Sequence, residues 1–306
     1  MILARFVFIL LLLSAVPCFC DPSLSFRFLF VFGERGEAPG QMQNPMGVST
    51  DAAGNIYVVD AGNHRLQKFN ERGELISFIG GFGWSARQFQ MPRDVFVYNS
   101  LDVFVADHEN HRIERYDKDL NWLASYYSSD NWNSRYQFLF PRAVAVSIHG
   151  NLFIADAEYR RIVKFTPCFE PEMSFGDFDW GSGVLLDPAG IALDRRDRVY
   201  VSDATAGKVP VFDYFGNYLY EIGVGVLSRP AGLIIDDSGH LFVVDSAKSR
   251  IFVFDPSGAL IDEFGSPGDK YGAFNEPQDI CIHSNRLYVA DGGNHRIQVF
   301  EILWTR

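Results

Sequence analysis

Residues able to do acid–base, metal or ion-pair chemistry recur along this chain at a fixed beat. Aspartates stand at Asp60, Asp107, Asp156, Asp203, Asp245 and Asp291, and five residues after each comes a base: Arg65, Arg112, Arg161, Lys208, Arg250 and Arg296. His64, His108, His111 and His295 sit beside several of these pairs. Carboxylate, imidazole and guanidinium in one segment could serve as general acid or base, zinc ligand or anion clamp. The repetition argues for construction instead. An aspartate that opens a turn accepts backbone N–H bonds, and the base five residues on pairs with it or with a neighbouring repeat. All twelve residues are therefore assigned to building the repeat.

Short strands must position them. Apolar and polar residues alternate over runs of five or six residues in PMGVST (45–50), IYVVD (56–60) and RLQKF (65–69), separated by the turns DAAGN and AGNHR. Alternation bounded by Gly, Asn and Asp clusters marks antiparallel strands joined by tight turns. The unit recurs with its proline at Pro45, Pro92, Pro141, Pro188, Pro230 and Pro277, in steps of 47, 49, 47, 42 and 47 residues. Nine residues after each aspartate comes an aromatic: Phe69, Tyr116, Phe165, Phe212, Phe254 and Phe300. A period of this length with four strand-sized pieces predicts an all-β, six-bladed β-propeller of four-stranded antiparallel blades. The repeats are bounded at about 45–83, 92–131, 141–180, 188–223, 230–268 and 277–303. The last lacks a fourth strand, while FRFLFVF (26–32) precedes the first; this N-terminal strand is expected to complete the last blade and close the ring.

The residues AGNHR (61–65), ENHR (109–112) and GNHR (293–296), with the linkers GERGEAPGQMQNP (33–45) and GSPGDKYGAFNEP (265–277), resemble the NHL repeat. The resemblance extends over about residues 26–300 and implies the TolB-like six-bladed propeller. It implies much less about activity. Among proteins with similar repeats, the amidating lyases place histidine directly after the linker proline in several blades. Here that residue is Met46, Arg93, Arg142, Ala189, Ala231 or Gln278, and a catalytic zinc needs about three converging histidines. The lyase chemistry does not carry over, and no catalytic residue, metal ligand or cofactor is assigned. Intracellular NHL proteins that bind RNA or act in ubiquitin ligases carry RING, B-box or coiled-coil segments ahead of the propeller; none is legible here.

Departures from the ring's average are where binding is sought. The two residues after each proline are small in blades 4 and 5, but Arg93, Asp94 and Arg142 occupy blades 2 and 3, and Gln278 and Asp279 occupy blade 6. The arginines could grip a carboxylate or phosphate, or join an internal Arg93–Asp94/Arg142–Asp279 charge network. Trp84, Trp132 and Trp180 recur 48 residues apart in the linkers leaving blades 1, 2 and 3. On the face carrying the long loops they would form an arc of binding aromatics, or fold back to seal the gaps between blades. The opposite face carries minimal hairpins.

Residues 1–20 read as a signal peptide, with Arg5 before an apolar stretch and a Cys18-Phe-Cys20 cleavage pattern before Asp21. The propeller is accordingly assigned to 21–306, and the destination is extracellular, or periplasmic in a bacterium. The formal net charge of −11 becomes more negative once that segment is removed, which disfavours nucleic acid and anionic membrane as partners. Cys168 and Cys281 lie three blades apart and are expected to be free thiols. The resulting expectation is a secreted, non-catalytic, monomeric scaffold that binds a protein, peptide or glycan through the long-loop face of blades 1–3. The alternatives are a propeller enzyme of the peptidyl-hydroxyglycine amidating lyase or lactonase type, and an NHL domain that binds RNA or serves a ubiquitin ligase.

Overall fold

The computed structural model describes residues 23–177 and 182–305, so the proposed signal segment and Trp180 lie outside the described residues. Six sheets of four antiparallel strands make up the molecule. In the first, Pro45–Thr50, Ile56–Asp60, Arg65–Phe69 and Leu75–Gly80 run from the inside outward. Each inner strand begins at its repeat's proline, which lacks an N–H and is tolerated at a strand's first residue. Consecutive inner strands pack against one another, and the one starting at Pro277 packs on the one starting at Pro45, so the ring is complete.

The middle strands differ from the alternating pattern expected of them. IYVVD, LFIAD, VYVSD and LFVVD are buried at every position. Each blade is sandwiched between two neighbours, so a middle strand has no solvent face and reads as a continuous apolar run. Alternation survives on outer strands such as Leu75–Gly80 and Tyr218–Ile222, where one face meets water. The aromatics that recur in each repeat fill the gaps between blades: Phe69 lies 4.9 Å from Phe32, and Phe212 lies 4.9 Å from Phe175. Burying one such ring stabilises the fold by about 1.5–3 kcal/mol.

Closure follows the expected seam. Ser23–Phe32 pairs antiparallel with Arg296–Thr305, from Ser23 opposite Thr305 to Phe32 opposite Ile297, with a bulge between Phe28 and Phe30. The strand starts three residues earlier than the apolar run 26–32, because its ladder continues through Leu24 and Ser25. Phe26 stacks on Phe264 of blade 5 at 4.5 Å, and Phe32 reaches Phe69 of blade 1, so the seam is clasped to both neighbouring blades.

Every Asp-to-base turn meets the linker entering its own blade. Gly62 N donates to the Gln43 carbonyl, Glu109 N to Gln90, Ala157 N to Phe140, Ala204 N to Asp187, Ser246 N to Arg229 and Gly293 N to Asn275, all at 2.8–3.1 Å. Linkers and turns thus share the long-loop face. On the other face, hairpins of adjacent blades are tied by contacts such as Tyr57 Oη and Lys68 Nζ donating to the Lys118 carbonyl.

Candidate functional site: the channel mouth and the long-loop face

A backbone irregularity aims side chains into the centre of the ring. Pro92 pairs with Asp107 but Asp94 pairs with Ala106, so Arg93 is an extra residue on its strand. The same slip follows Pro45, Pro141, Pro188 and Pro277, and in blade 5 it spans Ala231 and Gly232. A bulge bends the strand locally and re-aims the residue it carries. Met46, Arg93, Arg142, Ala189, Ala231 and Gln278 accordingly all line one central cavity of about 310 Å³.

One residue deeper, inner strands approach closely. A Cβ added to Gly47 would come within 2.9 Å of Asp94 Cα, and one added to Gly232 would meet Asp279 Oδ1 at 2.0 Å. The two aspartates use this proximity. Asp94 Oδ2 accepts from Val144 N of blade 3 at 2.9 Å, and Asp279 Oδ2 accepts from Val48 N of blade 1 at 2.8 Å. Both line the channel and are half-buried. Burial pushes the Asp94 carboxyl up to about 6. Burial, with the Asp94 charge adding to it, holds Asp279 well above the usual carboxylate range.

The charge network differs from Arg93–Asp94/Arg142–Asp279. Arg142 pairs with Asp187, the residue before the blade 4 proline, and the two channel aspartates bond backbone amides instead. Arg93 has no acceptor for its buried Nε–H. Burial, then the Arg142 charge, lowers its pKa, with Arg229 adding to the repulsion. Arg229 lines the same cavity and was not singled out in the sequence, because it precedes its proline instead of following it. His108, whose Nδ1 lies 3.2 Å from the Pro141 carbonyl, is pushed down to about 4 by burial and the Arg93 charge.

The twelve recurring residues bind the frame. The aspartates accept from linker amides in every blade: Gln43, Gln90, Leu139, Leu186, Ser228 and Asn275. Arg65, Arg112 and Arg296 then donate Nε–H to Asp60, Asp107 and Asp291 at 2.7–2.8 Å. In blades 3–5 the base turns elsewhere: Arg161 to the Ser134 and Gln137 carbonyls, Lys208 to Glu221 and Arg250 to Glu263. The turn histidines join blades. His64 Nδ1 accepts from Met91 N and His295 Nδ1 from Asn44 N, which requires the neutral ring that burial favours at both. Among the described residues no three His, Cys, Asp or Glu side chains converge as a metal site.

The tryptophans divide. Trp84 is 70% exposed beside Phe82 at 63%, and its carbonyl is held by Arg112. Trp132 folds back instead, its ring 5.4 Å from Phe165 and 5.6 Å from Phe169 in the crevice between blades 2 and 3. Equivalent spacing did not secure equivalent environment.

The NHL repeat profile matches residues 42–69, 227–254 and 274–300, which fall in blades 1, 5 and 6. Protein brain tumor of Drosophila melanogaster is 28% identical over 196 residues, 63% of this chain and 14% of that protein. NHL repeat-containing protein 3 of Homo sapiens is 39% identical over 49 residues, 16% of this chain and 14% of the relative. Among solved structures, virginiamycin B lyase from Staphylococcus aureus superposes with a TM-score of 0.62 at 14% identity, over 92% of this chain and all of that one. The gluconolactonase XC5397 of Xanthomonas campestris gives 0.66 at 15% identity, over 94% and 97%. Identities this low establish the shared fold alone. The chain is an NHL repeat-containing six-bladed β-propeller. The matched segments span about a seventh of the length of each of the relatives just named.

Proposed function

We propose that this propeller is a secreted, non-catalytic binding module that docks a protein or peptide on the long-loop face of blades 1–3. The observation that carries the reading is the presentation of Trp84. Its indole and the Phe82 ring stand in solvent, yet the segment beneath them is fixed, because Arg112 donates to the carbonyls of Trp84, Ser85 and Gln88. A large aromatic surface on a pre-ordered loop loses little conformational entropy on binding, which is how interface anchors gain their weight. Trp132 contributes to stability in this reading, and the docking surface centres on Trp84.

Two measurements test it. Affinity capture from the protein's own conditioned medium should retain a partner with the wild-type bait and lose it with Trp84→Ala, while both baits melt at the same temperature. Capture that survives the substitution, or a Trp84→Ala protein destabilised by several kcal/mol, would show that the ring is not a docking anchor. Capture abolished by glycosidase treatment would reassign the surface to sugars. Saturable turnover of a peptidyl-α-hydroxyglycine or a lactone would overturn the non-catalytic part, and an exported protein with residues 1–20 intact would overturn signal cleavage.

A further inference from the structure

We infer that the mouth of the central channel is a binding site for a small organic carboxylate, gripped by Arg93, Arg142 and Arg229. This does not rest on the docking surface at Trp84, which lies on an outer loop.

Three observations converge. The first is unbalanced charge in a confined space. The three guanidinium groups border one cavity of about 310 Å³, and the only ion pair among them in the described residues is Arg142 with Asp187. Among those residues Arg93 and Arg229 have no ion pair of their own; burial, then the Arg142 charge, lowers the Arg93 pKa, with Arg229 adding to the repulsion and the more distant Glu109 and Asp187 charges offsetting part of it. An anion placed among them relieves the repulsion.

The second is an orphaned donor. Arg93 Nε–H is buried and has no acceptor. Leaving a buried donor unmade costs about 1–3 kcal/mol, more for a charged group. The frame arginines avoid this: Arg65 and Arg112 each donate to a carboxylate and to linker carbonyls. Arg161 has an unpaired Nε–H too, but its NH2 group donates to two carbonyls. Arg93 has no protein acceptor on any of its nitrogens among the described residues. A bidentate carboxylate matches a guanidinium fork with two parallel N–H···O bonds.

The third is the shape and chemistry of the rest of the wall. Ala189 and Ala231, the small residues after the prolines of blades 4 and 5, leave that side of the cavity bare and apolar, so there is room for a ligand's carbon skeleton. The volume is at the low end for small-molecule pockets, which suits a short organic acid and excludes a folded chain. Asp94 and Asp279 lie one residue deeper. Their carboxyl groups repel a polyanion such as phosphate more than a monoanion, and their oxygens can accept from a ligand's hydroxyl. A monocarboxylate with its charged end toward the arginines satisfies both ends of the cavity.

The test is calorimetric titration of the whole protein with acetate and with lactate, compared with inorganic phosphate and chloride at equal ionic strength. The expected result is saturable binding of both carboxylates, tighter for lactate, and much weaker binding of phosphate. Arg93→Gln is expected to weaken binding at least tenfold, and Arg229→Gln, at an exposed rim position whose loss leaves the fold intact, at least threefold. Arg250→Gln, on the third strand of blade 5 and paired with Glu263 of the outer strand, should leave binding unchanged, as should Trp84→Ala. The inference is overturned if neither carboxylate saturates, if phosphate or chloride binds equally well, or if Arg229→Gln binds like the wild type.

Discussion

Arg112 is the largest fully buried side chain among the described residues, and its loss has a calculable consequence. Its Nε lies 2.8 Å from both Asp107 Oδ2 and Glu114 Oε1, and its remaining donors reach Tyr127 Oη and the carbonyls of Trp84, Ser85 and Gln88. Arg112→Met preserves the bulk of the stem and deletes every donor. The carbonyls belong to a surface linker and can rehydrate. Asp107 and Glu114 cannot, since neither side chain has any exposed surface. Removing one partner from a buried ion pair costs about 3–5 kcal/mol. For a domain of this size that corresponds to a melting temperature lower by about 5–10 °C. Burial already raises the pKa of both carboxyls, and without the guanidinium they bind protons more readily. The variant's native state then holds protons that its unfolded state has released, so its deficit should narrow as pH falls from 7 toward 5. Guanidinium chloride unfolding of both proteins at the two pH values measures this. A deficit below about 1 kcal/mol, or one that widens toward pH 5, would refute the argument that Arg112 neutralises two sealed carboxylates.

The channel aspartate makes a second pH-dependent contribution. With its carboxyl at about 6 in the folded state, Asp94 favours folding at low pH, and that contribution is lost as pH rises from the unfolded value near 4 through 6. The urea midpoint of Asp94→Asn relative to wild type should therefore rise between pH 4.5 and 7; a difference independent of pH would contradict it. In a preparation beginning at Asp21, one thiol is expected to react with Ellman's reagent in the native state. That is Cys168, which is exposed, whereas Cys281 is buried with its pKa raised by that burial and should react only on unfolding. Two fast thiols, or none, would contradict the assignment.

The fold was legible because one physical solution is written six times over. Proline, turn aspartate, base and aromatic keep their spacing, so each copy corroborates the others, and the unmatched strand at 26–32 points to the unmatched partner at the chain's other end. The residues that line the channel were legible for the same reason, since the position after the proline is the bulge in every blade. Pairing within the channel was not. Arg142 and Asp187 belong to different repeats 45 residues apart, and the spacing inside one repeat is silent on which neighbouring linker a long side chain will reach. Arg229 escaped notice because only residues after the proline were weighed. The tryptophans show the converse limit. Trp84 and Trp132 occupy equivalent stations, but the second finds Phe165 and Phe169 beside it and turns inward, while the first stands in solvent. Apolar–polar alternation misled in the middle strands, where a second blade covers the face that water would otherwise meet.

Channel, rim and docking face exist only if the disc is shut by its first strand, so amide hydrogen exchange along that seam is the most direct test. Amides of residues 24–31 and 297–304 that bond across the two strands should exchange as slowly as those of the fully buried strand Leu241–Asp245. Exchange of residues 24–31 at the rate of an unstructured peptide, with Leu241–Asp245 still protected, would mean that the ring stands open and that the binding surfaces described on it are not assembled in solution.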